Sequence, residues 1–423
     1  MNSSRIDPLG VSGKSCSTGS SSGAGSFIGD PTQMDRWLLG QLTSGLDDSK
    51  VRMVLWDEPV RANRNMLPVT VCIGDRGGLF QMLRDPALYF GDLYSSGRIT
   101  LDGDLLVLLD EAYRFLDKLP KTSRWLERTR VRKPGLSDSR NNIHHHYDLG
   151  NDFYKIWLDR EAMQYTCAYY AQSSMTLEQA QQAKMHHVCR KLQLEAGDRV
   201  IEAGGGWGGF ALFMAQNYGV HVRSFNISKE QITFSREQAQ ARDLGHLVEF
   251  IEDDYRNISG RCDVFVSIGM LEHVGTPNYR QLGELIARVL TPEGRGLVHT
   301  IGRDRPMPLN AWIARRIFPG AYPPTLREMM DIFEPNSLSV LDVENLRPHY
   351  ALTLKHWLER FEQHADVVRA MFDESFVRAW RLYLAGSIIG FLHGDLQLFQ
   401  VLFARTGANG IPWTRDHIYP PRD

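Results

Sequence analysis

The feature that most constrains the fold is a glycine-rich loop between an apolar strand and a helix. The stretch RVIEAGGGWGGF at residues 199–210 carries five glycines, and GGFALFMAQNY continues it at helical spacing. The strand-like segments VHVRSFNIS, LVEFIEDD, DVFVSIG and RGLVHTIG alternate with the helical segments KEQITFSREQAQARDLG and NYRQLGELIARVL. This alternation predicts βαβ units in an α/β fold, with a mostly parallel sheet covered by helices on both faces. The later segment FVRAWRLYLAGSIIGFLHGDLQLFQVLFAR is predicted to be apolar helices.

Two kinds of ligand fit the glycine loop. Counted from Gly204, it has the G-x-G-x-x-G spacing that binds a dinucleotide. Counted from Glu202, it equally has the acid-x-G-x-G-x-G spacing of proteins that bind S-adenosylmethionine (SAM). A dinucleotide site needs an acid about 20 residues beyond the first glycine, whereas residues 224–226 here are Ser-Phe-Asn. A carboxylate at Glu202 would repel a pyrophosphate but suits the positive charges of SAM, so SAM is favoured.

Length and composition indicate a soluble protein of more than one domain. The 423 residues exceed the size at which single cores usually stop growing, about 250–300 residues. We expect a disordered Ser/Gly-rich tail at 1–33, a small α+β domain at 34–120, a basic linker at 121–140 and a catalytic domain at 141–423. The linker KTSRWLERTRVRKPGLSDSR is either simply solvated or in contact with lipid headgroups. A net charge of -2 gives no overall attraction for nucleic acid.

No metal site, disulfide framework or membrane span is expected. The five cysteines are scattered without a C-x-x-C pair, which favours a reducing, cytoplasmic setting. His144, His145 and His146 are consecutive and lack the Cys or acid partners of a metal site. The chain has no run of about 18 apolar residues, and its first thirty residues lack the apolar region of a secretory signal.

Several further stretches carry a family resemblance. They are HYDLGNDFYKIWLD, MQYTCAYY, SIGMLEHVG, LVHTIG and WIARRIFPGAYPPTLREM, all within residues 141–423. Together they closely resemble the cyclopropane fatty acid synthase family of SAM-dependent methyltransferases, which implies the class I (Rossmann-like) methyltransferase fold. PVTVCIGDRG and GRITLDGDLL resemble the small amino-terminal domain of bacterial members. That domain favours the lipid-modifying branch.

The resemblance implies a reaction and a set of residues. SAM methylates a cis double bond in a phospholipid acyl chain, and a bound bicarbonate then removes a proton to close a cyclopropane. The positions that match the bicarbonate holders are Cys167, Glu272, His299, the Ile301 backbone and Tyr350. The positions that match SAM contacts are Tyr165, Thr166, Glu202, Gly204, Gly206, Asn226, Gln231, Asp254 and Tyr255.

Particular roles follow from these matches. Gln231 would hold the ribose in place of the missing acid, and Tyr255 would pack on adenine. Because a carboxylate beside an anion is unfavourable, we infer that Glu272 shares a proton with the bicarbonate and orients it. The family also implies a homodimer and peripheral association with the inner face of the cell membrane.

Other functions are compatible with the sequence, and a few residues differ from those usual in the family. A relative that leaves a methyl or methylene branch shares the first step, and a small-molecule N-methyltransferase or a lipid-binding protein with a decayed site would share the fold. The family usually has Asp where this chain has Glu202, Cys where it has Gly205, and Ser where it has Thr166. The longer side chain of Glu202 changes how SAM would be positioned.

Overall fold

The computed structural model describes residues 29–44, 50–58, 69–118 and 149–419. The predicted linker, the three consecutive histidines and residues 1–28 of the predicted tail lie outside these described residues. The chain divides into two compact units. The first takes the described residues up to 118 together with Asn310–Pro319 and Phe361–Ile389, two segments from the second half of the chain. The second takes the rest of the described chain.

The first unit contains a small three-stranded sheet. Its strands are β1 (Val51–Leu55), β2 (Val69–Ile73) and β3 (Ile99–Asp102), in the order β1-β2-β3. The β1–β2 pair is parallel and the β2–β3 pair antiparallel. Its helices include α1 (Gln33–Thr43), α2 (Arg76–Arg84), α3 (Pro86–Ser95) and α4 (Leu105–Lys118). This confirms the predicted small α+β region.

Segments from later in the chain pack into this first unit. A Cβ on Gly91 of α3 would lie 2.4 Å from the ring of Trp312, so only a glycine lets the indole approach the helix this closely. The Arg378 guanidinium donates to the carbonyls of Tyr94 and Ile99 and lies 4.3 Å from the Tyr94 ring centroid. These contacts explain why residues so distant in sequence belong to one unit.

The second unit is built on a seven-stranded sheet in the order β6-β5-β4-β7-β8-β10-β9. Its strands are β4 (Arg199–Ala203), β5 (His221–Asn226), β6 (Val248–Glu252), β7 (Cys262–Ile268), β8 (Leu290–Gly302), β9 (Leu338–Asn345) and β10 (Gln397–Arg405). The pairs from β6 to β8 are parallel, and β10 is antiparallel to both β8 and β9. This arrangement confirms the predicted class I methyltransferase fold.

Apolar side chains on both faces of this sheet explain its layers. Val200 and Val264 belong to one buried cluster, whereas their neighbours Ile201 and Phe265 belong to another. Successive side chains of a strand point to opposite faces, so both faces need helices to cover them. The later helices of the chain are α5 (Asn151–Trp157), α6 (Leu177–Lys191), α7 (Gly209–Tyr218), α8 (Lys229–Ala241), α9 (Leu271–Val274), α10 (Tyr279–Val289), α11 (Leu326–Phe333), α12 (Arg347–Gln363), α13 (Ala365–Met371) and α14 (Glu374–His393).

One predicted element is wrong. The segment QLFQVLFAR, predicted as part of an apolar helix, is strand β10, and only the residues before it form a helix, α14. Leu398 to Ala404 are all buried because β10 lies between two other strands with both faces covered. A strand buried on both faces has no alternation of polar and apolar residues, so periodicity does not distinguish it from a buried helix. Gly394, with a φ of 86°, follows α14 and separates it from the strand.

In the described part of the chain, every helix is too short or too polar to cross a lipid bilayer.

Candidate active site

The glycine loop lies where the connections of the sheet reverse direction. Strand β4 has β5 on one side and β7 on the other, so the loops at their carboxyl ends diverge and leave a crevice. Gly204 and Gly206 have φ values of 84° and 54°, a region that other residues rarely adopt. A Cβ on Gly204 would lie 2.9 Å from the Cβ of Met270, so the loop after β7 packs directly on this loop. The glycines therefore allow both the turn and the close approach.

Glu202 is buried at the end of β4, with 3% of its surface exposed. Its Oε2 accepts a hydrogen bond of 2.6 Å from the hydroxyl of Ser224, the residue paired with it on β5. Burial raises the pKa of Glu202 to about 7, although the Ser224 hydrogen bond and the nearby Lys184 charge oppose the shift. The carboxylate thus provides a single partly protonated acid beside the glycine loop.

Asn226 and Gln231 form a polar pair after β5. Asn226 Nδ2 donates to the Gly206 carbonyl at 3.0 Å and to Gln231 Oε1 at 2.8 Å. Since its oxygen is engaged, Gln231 has its Nε2 donor left, and this buried atom has no protein partner. Buried donors without partners are rare in proteins, so this amide is suited to bind a nucleoside.

Asp254 caps the short turn that follows β6. It is 3% exposed, and its Oδ1 accepts from the Arg256 backbone N–H at 3.0 Å. The Arg256 guanidinium lies 5.3 Å from the centroid of the Tyr255 ring. The cap therefore fixes the position of the aromatic side chain that the sequence places on adenine.

The segment from Tyr165 to Cys167 is held by an aromatic cluster and by α12. The Tyr165 ring lies 5.1 Å from Trp157 and 5.4 Å from Trp357, measured between centroids. The Cys167 thiol is fully buried and donates to the Ala168 carbonyl at 3.1 Å. Burial raises the pKa of Cys167 far above its usual range, so the sulfur is a neutral thiol. A neutral thiol is not an activated nucleophile.

Glu272 follows β7 on the short helix α9. Its Oε1 accepts a 2.6 Å hydrogen bond from the backbone N–H of Ile301 at the end of β8. Its Oε2 is buried without a protein partner. Burial raises the pKa of Glu272 to about 7, so both protonation states are accessible near neutral pH. The group has the pKa expected of an acid or base that works at neutral pH.

His299 lies two residues before Ile301 on β8. Its Nδ1 is 3.1 Å from Gln400 Nε2, and its own Nε2 is buried without a protein partner. Burial, with the charges of Lys184 and Lys191, lowers the pKa of His299 well below its usual value, so the ring is neutral. Its carbonyl accepts from the Gly269 N–H at 2.9 Å.

The structure brings most of the predicted residues together at adjacent strand ends. A Cβ on Gly269 would lie 3.0 Å from the Thr166 methyl group, which places the segment with Thr166 and Cys167 beside the ends of β7 and β8. The predicted SAM residues fall in three places: Tyr165 and Thr166 precede β4, Glu202 and Asn226 lie at the ends of β4 and β5, and the others follow β4, β5 and β6. Glu272 follows β7, and His299 and Ile301 lie on β8. Tyr350 lies on α12, with its ring 4.5 Å from Phe391 between centroids. The Ala168 N–H donates to Thr353 Oγ1 of the same helix at 3.0 Å.

Sequence reasoning missed a set of buried polar residues on α6. They are Gln181, Lys184, His187 and Lys191, each at most 2% exposed. Lys184 Nζ donates to Thr166 Oγ1 at 3.0 Å and to the side-chain oxygen of Gln164. Burial lowers the pKa of Lys184 to about 8. Polar residues of these types on a helix normally face water. Their spacing of three or four residues therefore predicts a solvent-exposed face rather than a buried one.

Comparison with known proteins decides the family. The family model described as mycolic acid cyclopropane synthetase matches residues 136–401, more than half of the chain. This chain belongs to that family. It is a SAM-dependent methyltransferase, as the sequence predicted.

Individual relatives agree with this assignment. The chain is 34% identical over 398 residues to a "Probable fatty acid methyltransferase" of Pseudomonas putida, with 90% of this chain and 100% of the relative covered. It is 40% identical over 267 residues to cyclopropane-fatty-acyl-phospholipid synthase of Escherichia coli, covering 63% of this chain and 68% of the relative. Among solved structures, mycolic acid cyclopropane synthase CmaA1 complexed with SAH and CTAB has a TM-score of 0.60 and 28% identity, covering 63% of this chain and 98% of that chain.

Proposed function

We propose that this enzyme transfers the methyl group of SAM to a cis double bond in a phospholipid acyl chain, and that a bound bicarbonate removes a proton so that a cyclopropane ring closes. Membership of the family and the name of the Escherichia coli relative support the reaction class. The glycine loop and the buried donor of Gln231 fit SAM.

One observation carries the bicarbonate assignment. At the ends of β7 and β8, two buried side-chain atoms lack protein partners: the acceptor Glu272 Oε2 and the nitrogen His299 Nε2. Both side chains are fixed by their other atoms, Glu272 by Ile301 and His299 by Gln400. When His299 carries its proton on Nε2 and Glu272 is ionised, a small species that satisfies both accepts from the imidazole and donates to the carboxylate. Bicarbonate has acceptor oxygens and one hydroxyl, so it meets both requirements.

The residues of this chain then have defined tasks. Bound SAM supplies an electrophilic methyl group. Since an alkene is a weak nucleophile, alignment and exclusion of water must carry much of the rate enhancement. The rings of Tyr165, Trp157 and Trp357 form a packed wall next to Cys167, and aromatic faces stabilise cationic carbon as they do other cations. Glu272 holds the hydroxyl of the bicarbonate and sets its orientation.

Product analysis tests this function. Purified enzyme is incubated with methyl-labelled SAM and vesicles of a cis-monounsaturated phospholipid, and the lipids are examined by NMR and mass spectrometry. We expect the labelled carbon in a cyclopropane ring, and turnover that falls when carbon dioxide is removed from the buffer. Glu272→Gln should keep SAM affinity and lose about two to four orders of magnitude in turnover. The exposed Glu230→Gln on α8 is the matched control. Absence of ring carbon from the labelled lipid contradicts the proposal.

A second product is favoured by one observation. The Pseudomonas putida relative, which is covered over its whole length, is named "Probable fatty acid methyltransferase". Methyl- or methylene-branching shares the first step and differs only in the fate of the cation. The same NMR experiment separates the two, because a branched product carries the label in a methyl or methylene group outside any ring.

The proposed substrate supports a location at a membrane surface. An enzyme that modifies acyl chains within a bilayer must reach them from the surface. We therefore propose a peripheral enzyme, and the family resemblance adds to this proposal a cytoplasmic location on the inner face of the cell membrane and a homodimer.

A further inference from the structure

A row of polar side chains crosses three strands behind His299. His299 of β8 is directly paired with Gln400 of β10, and Gln400 is directly paired with Glu344 of β9. Directly opposite residues in a sheet project on the same face, so the three side chains lie side by side. Lys191 and His187 of α6 cover the far end of this row. All of these belong to the second unit of the chain.

Lys191 decides which way the Gln400 amide points. Its Nζ lies 2.9 Å from Gln400 and 2.6 Å from Glu344 Oε2. An ammonium has only donors, so the Gln400 atom that faces it must be the amide oxygen. Burial lowers the pKa of Lys191, and the adjacent Glu344 opposes this shift and favours the charged ammonium. Burial also acts to raise the pKa of Glu344, but the His187 hydrogen bond and the Lys191 charge lower it to about 2, so Glu344 is ionised. The Gln400 NH₂ group therefore faces the histidine.

The orientation of Gln400 in turn fixes the proton on the imidazole. An NH₂ group only donates, so the His299 Nδ1 atom 3.1 Å away must be the acceptor. A neutral ring with a bare Nδ1 carries its hydrogen on Nε2. That nitrogen is the buried atom without a protein partner.

We propose that Gln400, Lys191 and Glu344 are positioning residues that hold His299 as the Nε2–H tautomer, so that this histidine donates to the bound anion and does not act as the base. The consequence for catalysis rests on the proposed function, whereas the tautomer itself does not. With a proton already on Nε2, the ring has no lone pair there to accept another. Proton removal is therefore left to the bicarbonate that Glu272 and His299 hold.

The tautomer can be measured directly. Protein labelled with ¹⁵N-histidine is examined by long-range ¹H–¹⁵N NMR, and the His299 signals are assigned by their loss in His299→Asn. We expect the Nε2–H pattern in the parent protein. An Nδ1–H pattern, or a doubly protonated ring at neutral pH, overturns the proposal.

Two variants test the row. In Gln400→Glu the carboxylate pairs with Lys191 and accepts from Nδ1–H, so the tautomer should reverse and a bare Nε2 should face the anion. We expect the bicarbonate concentration for half-maximal rate to rise at least tenfold, with the SAM dissociation constant changed less than twofold. Lys191→Met allows the Gln400 amide to rotate. We therefore expect a mixture of both His299 tautomers and a smaller rise in the bicarbonate concentration for half-maximal rate. If both variants keep the parent's tautomer and its bicarbonate dependence, these residues do not fix the protonation of His299.

Controls separate this proposal from its neighbours. Gln240→Glu, an exposed residue on α8, makes the same chemical change and should alter neither the tautomer nor the bicarbonate dependence. Thermal denaturation and SAM affinity show that each variant is folded. If the parent carries Nε2–H, the tautomer reverses in Gln400→Glu and the rate does not depend on bicarbonate, the positioning role is supported and bicarbonate is rejected as the base. If the parent depends on bicarbonate but carries Nδ1–H, bicarbonate is retained as the base and the positioning role is rejected.

Discussion

The hydroxyl of Ser224 bonds to Glu202 and fills the space where a side chain at position 205 would begin. A Cβ on Gly205 would lie 1.9 Å from Ser224 Oγ and 2.8 Å from Glu202 Oε2. Two departures from the family pattern, Glu for Asp at 202 and Gly for Cys at 205, therefore fit each other. The longer acid reaches the serine, and the absence of a side chain at 205 leaves room for both.

Gly205→Ala should weaken SAM binding at least tenfold, because the new methyl group displaces Ser224 and Glu202 next to the glycine loop. Adding Ser224→Ala removes the clashing oxygen and should restore much of the affinity. Calorimetric titration with SAM measures both. Gly245→Ala is the control, since no atom lies within 4 Å of a Cβ there. Equal affinities for parent and Gly205→Ala would contradict this fit.

Glu272→Gln, which should lower turnover, should also make the protein more stable than the parent at alkaline pH. The folded-state pKa of Glu272 is raised from 4.5 to about 7. Below pH 4.5 the carboxyl is protonated in both the folded and the unfolded state, so it does not change the free energy of unfolding. As the pH rises to 7, the unfolded state releases a proton that the folded state retains. The parent therefore loses stability across this interval, on the order of 3 kcal/mol. Glutamine does not titrate.

Thermal unfolding at two pH values checks this. The melting temperature of Glu272→Gln relative to the parent should be clearly higher at pH 8 than at pH 5. Glu230→Gln, at an exposed position, should show no such difference. A constant offset between Glu272→Gln and the parent at both pH values would mean that Glu272 has an ordinary pKa.

Lys184→Met should lower both stability and SAM affinity. The side chain is fully buried and donates to Thr166 and Gln164. Its removal leaves buried acceptors unsatisfied, which costs about 1–3 kcal/mol of unfolding free energy. Thr166 also loses the donor that fixes its hydroxyl, so we expect SAM to bind about tenfold more weakly in titration calorimetry. Lys229→Met, on the exposed surface of α8, should match the parent.

Gln231→Leu should remove the hydrogen bond to the ribose. The Nε2 of Gln231 is a buried donor without a protein partner, which the cofactor would satisfy. We expect SAM to bind about 10–100-fold more weakly, because a buried polar partner is left unpaired. A SAM analogue without ribose hydroxyls should bind the parent and the variant with equal, low affinity. If the analogue discriminates between them as strongly as SAM does, Gln231 acts elsewhere. Gln240→Leu on the same helix is the control.

Neutral residues in place of Arg128, Arg130, Arg132 and Lys133 should weaken binding to anionic vesicles. These positions lie outside the described residues, so the prediction rests on the sequence alone. Sedimentation with vesicles should show a loss that shrinks as salt is raised. Removing four charges at the exposed residues Lys229, Arg280, Arg327 and Lys355 is the matched control. Identical binding by both quadruple variants would show that the linker contributes only net charge.

The sequence was most informative where short apolar strands alternate with helical segments. The strands from β4 to β8 and the helices between them were predicted correctly, because this alternation and the glycine loop agree. Strand β10 was not, since it closely follows the apolar helix α14 and has no alternation of polar and apolar residues to distinguish it. Individual motif residues were found through the family resemblance. Lys184, Lys191 and Gln400 were not, because a buried lysine or glutamine looks the same in a sequence as a solvated one.

The position of β10 affects how the protein is made. This strand follows β9 in the chain, yet it lies between β8 and β9 in the sheet. When the ribosome has synthesised the chain only as far as β9, the strand that pairs with both β8 and β9 is still missing. His299 then has no Gln400 beside it. By the proposal above, the His299 imidazole can be held as the Nε2–H tautomer only after residue 400 has joined the sheet. A product that ends before β10 should therefore lack the fixed histidine donor that the proposed anion site requires.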